Sequence, residues 1–190
     1  MVHRFNPDKA EKLVSNERYK DLPPEETLAP LQLQQGDIVA DFGAGNGFFT
    51  LPIAQATGAT VYAVDIETRM LAALKQRADE NNIGNIERVE ADLAETGLAT
   101  HSVDKLFSSF VLHEVPDLSA TLKEMKRVLR PGGAMLILDW EAVEGEDGPP
   151  KRRRIPSERL QSDLVALQFN VRKITINPDV YALQCTLANE

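Results

Sequence analysis

The stretch Asp41-Phe42-Gly43-Ala44-Gly45-Asn46-Gly47 holds the residues best suited to bind a cofactor. Its glycines let a backbone turn tightly and come close to a ligand. Asp41, two residues before the first glycine, suits a ligand bearing an ammonium group better than one bearing a pyrophosphate. The dinucleotide pattern G-x-G-x-x-G would place its third glycine where Phe48 stands; the spacing here is G-x-G-x-G. Roughly 20 residues further on, Asp65 closes a second apolar run, where a carboxylate can accept hydrogen bonds from ribose hydroxyls. Ala91-Asp92-Leu93 closes a third, where an acid can meet an adenine amino group.

A second set of residues offers acid–base and recognition chemistry. His113, with an unperturbed pKa near neutrality, can deprotonate a hydroxyl, an amine or an activated carbon, or it can pack structurally against a ligand or loop. Glu114 beside it can orient the ring, although exposure to solvent is the expectation. Asp139 can bind a polar group of an acceptor and Trp140 can stack on it; equally, they can cap a loop and cover the core. Lys151-Arg152-Arg153-Arg154 can recognise a carboxylate or phosphate, or form a solvated run. Phe5 and Tyr19 would line a lid or simply pack.

These residues must be held by regular elements. Short apolar runs at 37–42, 60–65, 86–91, 103–110 and 134–140, the last opened by Pro131-Gly132-Gly133, read as buried strands. Helical patterns lie between them, at 47–56, 68–82 and 118–129. Strands alternating with helices imply a parallel, doubly wound sheet with right-handed crossovers. The end differs. Residues 157–167 read as a helix with Ser157 at its N-cap, followed by alternating stretches at 170–176 and 180–188 around Asn177-Pro178-Asp179, a hairpin signal. Residues 1–35 carry helix-forming segments and Pro23-Pro24 but no strand, and read as a flap docked over the ligand end of the sheet.

The 190-residue chain, 43% hydrophobic and 26% charged, fits one globular domain spanning 1–190. No apolar run reaches the roughly 20 residues that cross a bilayer, and residues 1–10 show no secretory signal, so the cytoplasm is expected. Cys185, the only cysteine, excludes an internal disulfide and a cysteine-based metal cluster; no metal is expected, and Cys185 itself reads as core. A formal net charge of -8 argues against a nucleic-acid partner.

In order, DFGAGNGFFTLPIA, VYAVDIETRML, VEADL, VDKLFSSFVLHEVPD and LKEMKRVLRPGGAMLILDW resemble the class I S-adenosylmethionine-dependent methyltransferases. Within that class the resemblance is to the type 11/25 branch, which includes ubiquinone and menaquinone biosynthesis enzymes and many small-molecule methyltransferases. It implies an α/β Rossmann-like sheet of seven strands, mostly parallel with a C-terminal antiparallel hairpin, in the order 3-2-1-4-5-7-6; residues 1–35, with Phe5, Leu13, Tyr19 and Leu22, are expected to form a helical lid on it. It also implies that Asp41, Gly43 and Gly45 hold the methionine part of S-adenosylmethionine, and that Asp65 takes the ribose hydroxyls. Ile66 would pack on the adenine, Asp92 and Leu93 would meet its edge, and Ser109 and Phe110 would flank the sulfonium. Asp41 stands where a Glu is frequent, with the charge kept.

The function expected is in-line methyl transfer to a small molecule, an anionic one if the basic run reaches the cleft. His113 and Asp139 are the candidate catalytic residues. Two other readings stay open. A non-catalytic S-adenosylmethionine-binding protein would show a filled cleft between His113 and Trp140. An NAD(P)-dependent oxidoreductase would have to accommodate the glycine spacing and the terminal hairpin, both of which count against it. For nucleic-acid methylation, the end of the fourth strand, Ser108-Ser109-Phe110, lacks the Asn/Asp-Pro-Pro-Tyr/Phe sequence of amino-methylating enzymes.

Overall fold

The computed structural model describes residues 16–145 and 147–187. Phe5 and Leu13 of the expected lid lie outside them. Two short helices, α1 (Asn16–Asp21) and α2 (Pro24–Leu28), lead through a 3-10 turn into β1 (Val39–Phe42). There follow α3 (Thr50–Thr57), β2 (Val61–Asp65), α4 (Thr68–Glu80), β3 (Ile86–Glu90), β4 (Val103–Ser109), α5 (Leu118–Val128) and β5 (Leu129–Trp140). The chain closes with α6 (Ser157–Ala166), β6 (Phe169–Asn177) and β7 (Val180–Leu187).

The sheet has seven strands in the order β3-β2-β1-β4-β5-β7-β6. β3, β2, β1, β4 and β5 are parallel, and β7 runs antiparallel to both β5 and β6. Every residue of β1 is buried, as expected of a central strand with helices on both faces. Alternation along the strands divides the core. Val39, Phe107, Leu136, Leu138 and Ala182 pack with Leu28, Leu31, Phe49 and Ile53 on the α2–α3 side. Ala40, Phe42, Leu106, Ile137 and Leu183 pack with Leu122, Met125, Leu160 and Leu164 on the α5–α6 side. Cys185 is fully buried within this second layer.

This topology gathers the site. The strand order reverses between β1 and β4, and ligands of open α/β sheets sit outside the carboxyl ends of the strands at that switch point. The segments after β1 to β5 all emerge at that end. Because β6 runs parallel to β5, the β6–β7 turn at Asn177-Pro178-Asp179 emerges there too.

Element ends depart from the sequence expectation where local backbone demands prevail. The glycine-rich turn continues to Phe49, so α3 starts at Thr50 and not at Gly47. β4 stops at Ser109 because Phe110 adopts φ 54°. β5 starts at Leu129, and Pro131-Gly132-Gly133 forms a bulge within it where its pairing with β4 jumps from Leu129 to Ala134. Ser157 is not the N-cap of α6. Pro156 takes that place, and the Ser157 hydroxyl donates to Glu141 Oε2 at 2.6 Å, a carboxylate beyond the end of β5.

Candidate functional site

The turn after β1 is built from inside. The amides of Gly43 and Ala44 donate to the Val64 carbonyl at 2.8 and 3.1 Å, lashing the turn to β2. Gly43, at φ 80°, lies against Val111, where a Cβ would come within 2.7 Å of that side chain. Gly47, at φ 84°, sits 2.6 Å from Leu51 by the same measure. These two glycines are thus required by packing of the protein on itself. Gly45 turns its amide to Asp65, donating to Oδ2 at 2.8 Å.

The other oxygen of Asp65 accepts from the Glu67 amide at 2.9 Å, so the carboxylate is fixed between two strand ends. Burial raises its pKa above the usual range while these backbone bonds oppose the shift. Asp41 is more extreme. It is only 2% exposed, and its carboxylate accepts from the Thr50 hydroxyl at 2.6 Å. Burial, only partly offset by that hydrogen bond and reinforced by the charge of Asp65, pushes its pKa up to about 7. A carboxyl in this position gains from a cation that arrives beside it. Beyond β2, Ile66 is 36% exposed, an uncovered apolar side chain at the cavity edge, opposite the exposed Asp92 and the buried Leu93.

At the ends of β4 and β5 the chain forms a charged, aromatic wall. Phe110 and Trp140 lie with ring centroids 5.1 Å apart. His113 Nδ1 is 2.7 Å from Asp139 Oδ1, and its Nε2 is 3.6 Å from Glu114 Oε1. Glu114, expected in solvent, has a side chain only 21% exposed and flanks the imidazole. Burial alone would lower the His113 pKa, but hydrogen bonds to Asp139 and Glu114 and their charges outweigh it and raise the value to about 9. The ring is therefore an imidazolium at neutral pH, its Nδ1–H donated to Asp139 and its Nε2–H directed toward Glu114. Asp139 is fully buried, and its Oδ2 is left without a hydrogen bond. It stands behind His113 and does not line the cavity, so binding an acceptor group directly is not what its position offers.

One cavity of about 1160 Å³ joins these parts. It is lined by Asp41, Gly43, Gly45, Asp65, Ile66, Asp92, Leu93, Ser109, Phe110, His113 and Trp140, which brings together every residue expected in the site except Asp139. The basic run divides. Arg153 is half-buried and lines the cavity. Arg154 turns inward, 6% exposed, and donates to the carbonyls of Pro149, Glu141 and Asp147. Lys151 and Arg152 are exposed. Sequence reasoning missed Arg18, Thr50 and the hairpin residues Asn177 and Asp179, which line or support the site. The fold brings Arg18, Asn177 and Asp179 to the same cavity, and no local pattern marks them.

A sequence profile described as "Methyltransferase domain" matches residues 40–137. Demethylmenaquinone methyltransferase of Mycobacterium sp. (strain KMS) is 33% identical over 156 residues, covering 82% of this chain and 61% of that protein. Ubiquinone/menaquinone biosynthesis C-methyltransferase of Sinorhizobium fredii is 36% identical over 109 residues, 56% of this chain and 42% of the relative. The chain thus spans less than two thirds of the length of these curated relatives. A SAM dependent methyltransferase from Aquifex aeolicus superposes with a TM-score of 0.90 at 26% identity, covering 97% of this chain and 100% of that one. With the strand order, the glycine-rich turn and the profile match in agreement, the chain belongs to the methyltransferase domain family, in the class I S-adenosylmethionine-dependent group on its ubiquinone/menaquinone-like branch.

Proposed function

We propose that the protein transfers a methyl group from S-adenosylmethionine to a small, flat acceptor of phenol or quinol type that carries an anionic group. The observation that carries this reading is the continuous cavity running from the Gly45–Asp65 contact to Trp140. Its volume of about 1160 Å³ exceeds what one ligand of ordinary size fills. A protein that only bound the cofactor would have the region between His113 and Trp140 filled; here both residues line the cavity. Inserting β7 antiparallel between β5 and β6 also departs from the dinucleotide-binding order 3-2-1-4-5-6.

The residues present fit the cofactor. Asp41 offers a buried negative charge to the ammonium group, Asp65 offers its remaining lone pairs to the ribose diol, and Ile66 and Leu93 offer apolar surface to adenine with Asp92 at its edge. When bound, S-adenosylmethionine supplies an electrophilic methyl on a sulfonium whose departure needs no acid. The chain's task is to align the acceptor and exclude water. Phe110 and Trp140 form the aromatic wall for a flat ring. His113 is a proton donor held in place by Asp139, able to hold an acceptor oxygen in line, and Glu114 is the neighbouring carboxylate that can take a hydroxyl proton. Arg153, whose side chain makes no hydrogen bond or ion pair among the described residues, is placed to meet an acceptor carboxylate. The relatives' names point the same way, to quinone-type compounds. The N-terminal segment, within the expected lid 1–35, closes the site through Arg18, Lys20, Asp21 and Leu22, all cavity-lining.

The test is release of S-adenosylhomocysteine from S-adenosylmethionine during incubation with simple phenols and quinols, each with and without a ring carboxylate. Turnover confined to the carboxylated set in wild type, with that preference lost in Arg153→Gln, is expected. Turnover with none of them, in a protein that binds the cofactor, would overturn the acceptor assignment.

A further inference from the structure

The aromatic wall offered to the acceptor is held from behind. Trp140 closes β5 and lines the cavity, with the Phe110 ring at 5.1 Å. Its other neighbours come from the chain that follows β5. Gly148, at φ 76°, lies so close that a Cβ there would come within 2.6 Å of the indole, so loop backbone rests directly on the ring. The Arg154 guanidinium lies 5.4 Å from the ring centroid, a distance at which a cation is attracted to an aromatic face. Trp140 is the only tryptophan of the chain, so its emission reports on this wall alone.

Arg154 reaches well beyond the ring. Its Nη1 donates to the Glu141 carbonyl at 3.2 Å, its Nε to the Pro149 carbonyl at 2.8 Å and its Nη2 to the Asp147 carbonyl, so one side chain ties the loop at its start and near its end. Nη1 also stands 3.7 Å from Asp179 Oδ1, and the Glu141 amide donates to the Asp179 carbonyl at 2.8 Å, which brings the β6–β7 turn into the same knot. Little else holds this loop on Trp140. Val143, Glu144, Gly145, Asp147 and Gly148 are exposed, and the ion pair of Lys151 with Glu144 lies at the surface, where such pairs contribute little. Asp147, Gly148, Pro149 and Asp179 line the cavity, whereas Arg154, buried behind them, does not. It can therefore act on a ligand only through the shape of the wall. The task needs a guanidinium, whose planar fork donates in several directions at once and stacks on an aromatic face; an ammonium on a flexible stem does neither as well.

We propose that Arg154 is a positioning residue: by holding the loop after β5 and the β6–β7 turn against Trp140 it fixes the indole as a rigid wall, and so sets the preference of the site for flat acceptors; the proposal rests on the methyl-transfer reading above. Wild type and Arg154→Lys, each saturated with S-adenosylhomocysteine, are titrated with 3-hydroxybenzoate and with 3-hydroxycyclohexanecarboxylate, which keeps the hydroxyl and the carboxylate and loses the flat ring. Acrylamide quenching of Trp140 emission is measured in both proteins. Wild type is expected to prefer the flat acid by about 3- to 10-fold, the worth of one aromatic pair. Arg154→Lys is expected to lose that preference and to expose Trp140 to acrylamide, with its affinity for S-adenosylhomocysteine unchanged. Arg154→Gln carries the same test should the Lys variant not fold. An unchanged preference, unchanged quenching, or an equal loss of affinity for S-adenosylhomocysteine and both acids overturns the proposal and leaves the methyl-transfer reading standing. A wild type that binds S-adenosylhomocysteine but neither acid removes the acceptor assignment, and the proposal with it.

Discussion

Asp41, proposed above to meet the cofactor's ammonium group, is a side chain whose burial works against folding. Its carboxyl titrates near an ordinary value of 3.8 in an unfolded chain and at about 7 in the fold. The folded state therefore holds the proton more tightly, and stability falls as pH rises from about 4 to 7, with the full penalty present above 7. Asp41→Asn keeps an acceptor for Thr50 and removes the charge. We expect the variant to be more stable than wild type at pH 8 by on the order of 1–4 kcal/mol, with no gain at pH 4, while binding S-adenosylhomocysteine more weakly; thermal melts at the two pH values check this. His113 runs the other way. Its pKa rises from 6.5 to about 9 on folding, so its stabilisation is complete below pH 6.5 and fades as pH rises through 9. His113→Gln should cost on the order of 1–3 kcal/mol at pH 6 and markedly less at pH 10. A cost independent of pH would mean that the ring acts by packing and not as an imidazolium. That His113 meets Asp139 was not legible in the sequence, because 26 residues separate the two and only the pairing of β4 with β5 brings them together.

At the scale of elements, the strands were legible because their apolar runs are short, bounded by glycines and separated by helical periods. Their order agrees with the one implied by the family resemblance. Boundaries slipped where a single residue overrode the pattern, as Phe110 does at the end of β4 and Ser157 does at the start of α6. In the latter, attraction to Glu141 outweighs the usual capping preference of serine. The basic run could not be resolved from sequence either: a 3-10 turn at Lys151–Arg153 sends consecutive side chains to solvent, cavity and interior. The N-terminal segment is the element whose role is most open to experiment. If it covers the cofactor, hydrogen exchange across residues 16–31 should slow when S-adenosylhomocysteine binds. Protection limited to the regions around Gly43, Asp65 and Asp92 would make it a structural appendage.

At the scale of the whole molecule, one cavity at the carboxyl ends of the parallel strands joins a half set by β1, β2 and β3, proposed to hold the cofactor, to a half set by β4, β5 and the β6–β7 turn, proposed to hold the acceptor. The first half was legible because it follows from one turn and two strand-end acids. The second was legible only in outline, since its walls come from segments far apart in the chain. No helix among the described residues is long and apolar enough to cross a membrane. Calorimetric titration of wild type with S-adenosylhomocysteine, repeated in the presence of NADH, tests the central claim most directly. Micromolar-range binding that NADH does not displace is the expected result. Tighter binding of NADH than of S-adenosylhomocysteine, or no binding of S-adenosylhomocysteine at all, would contradict it.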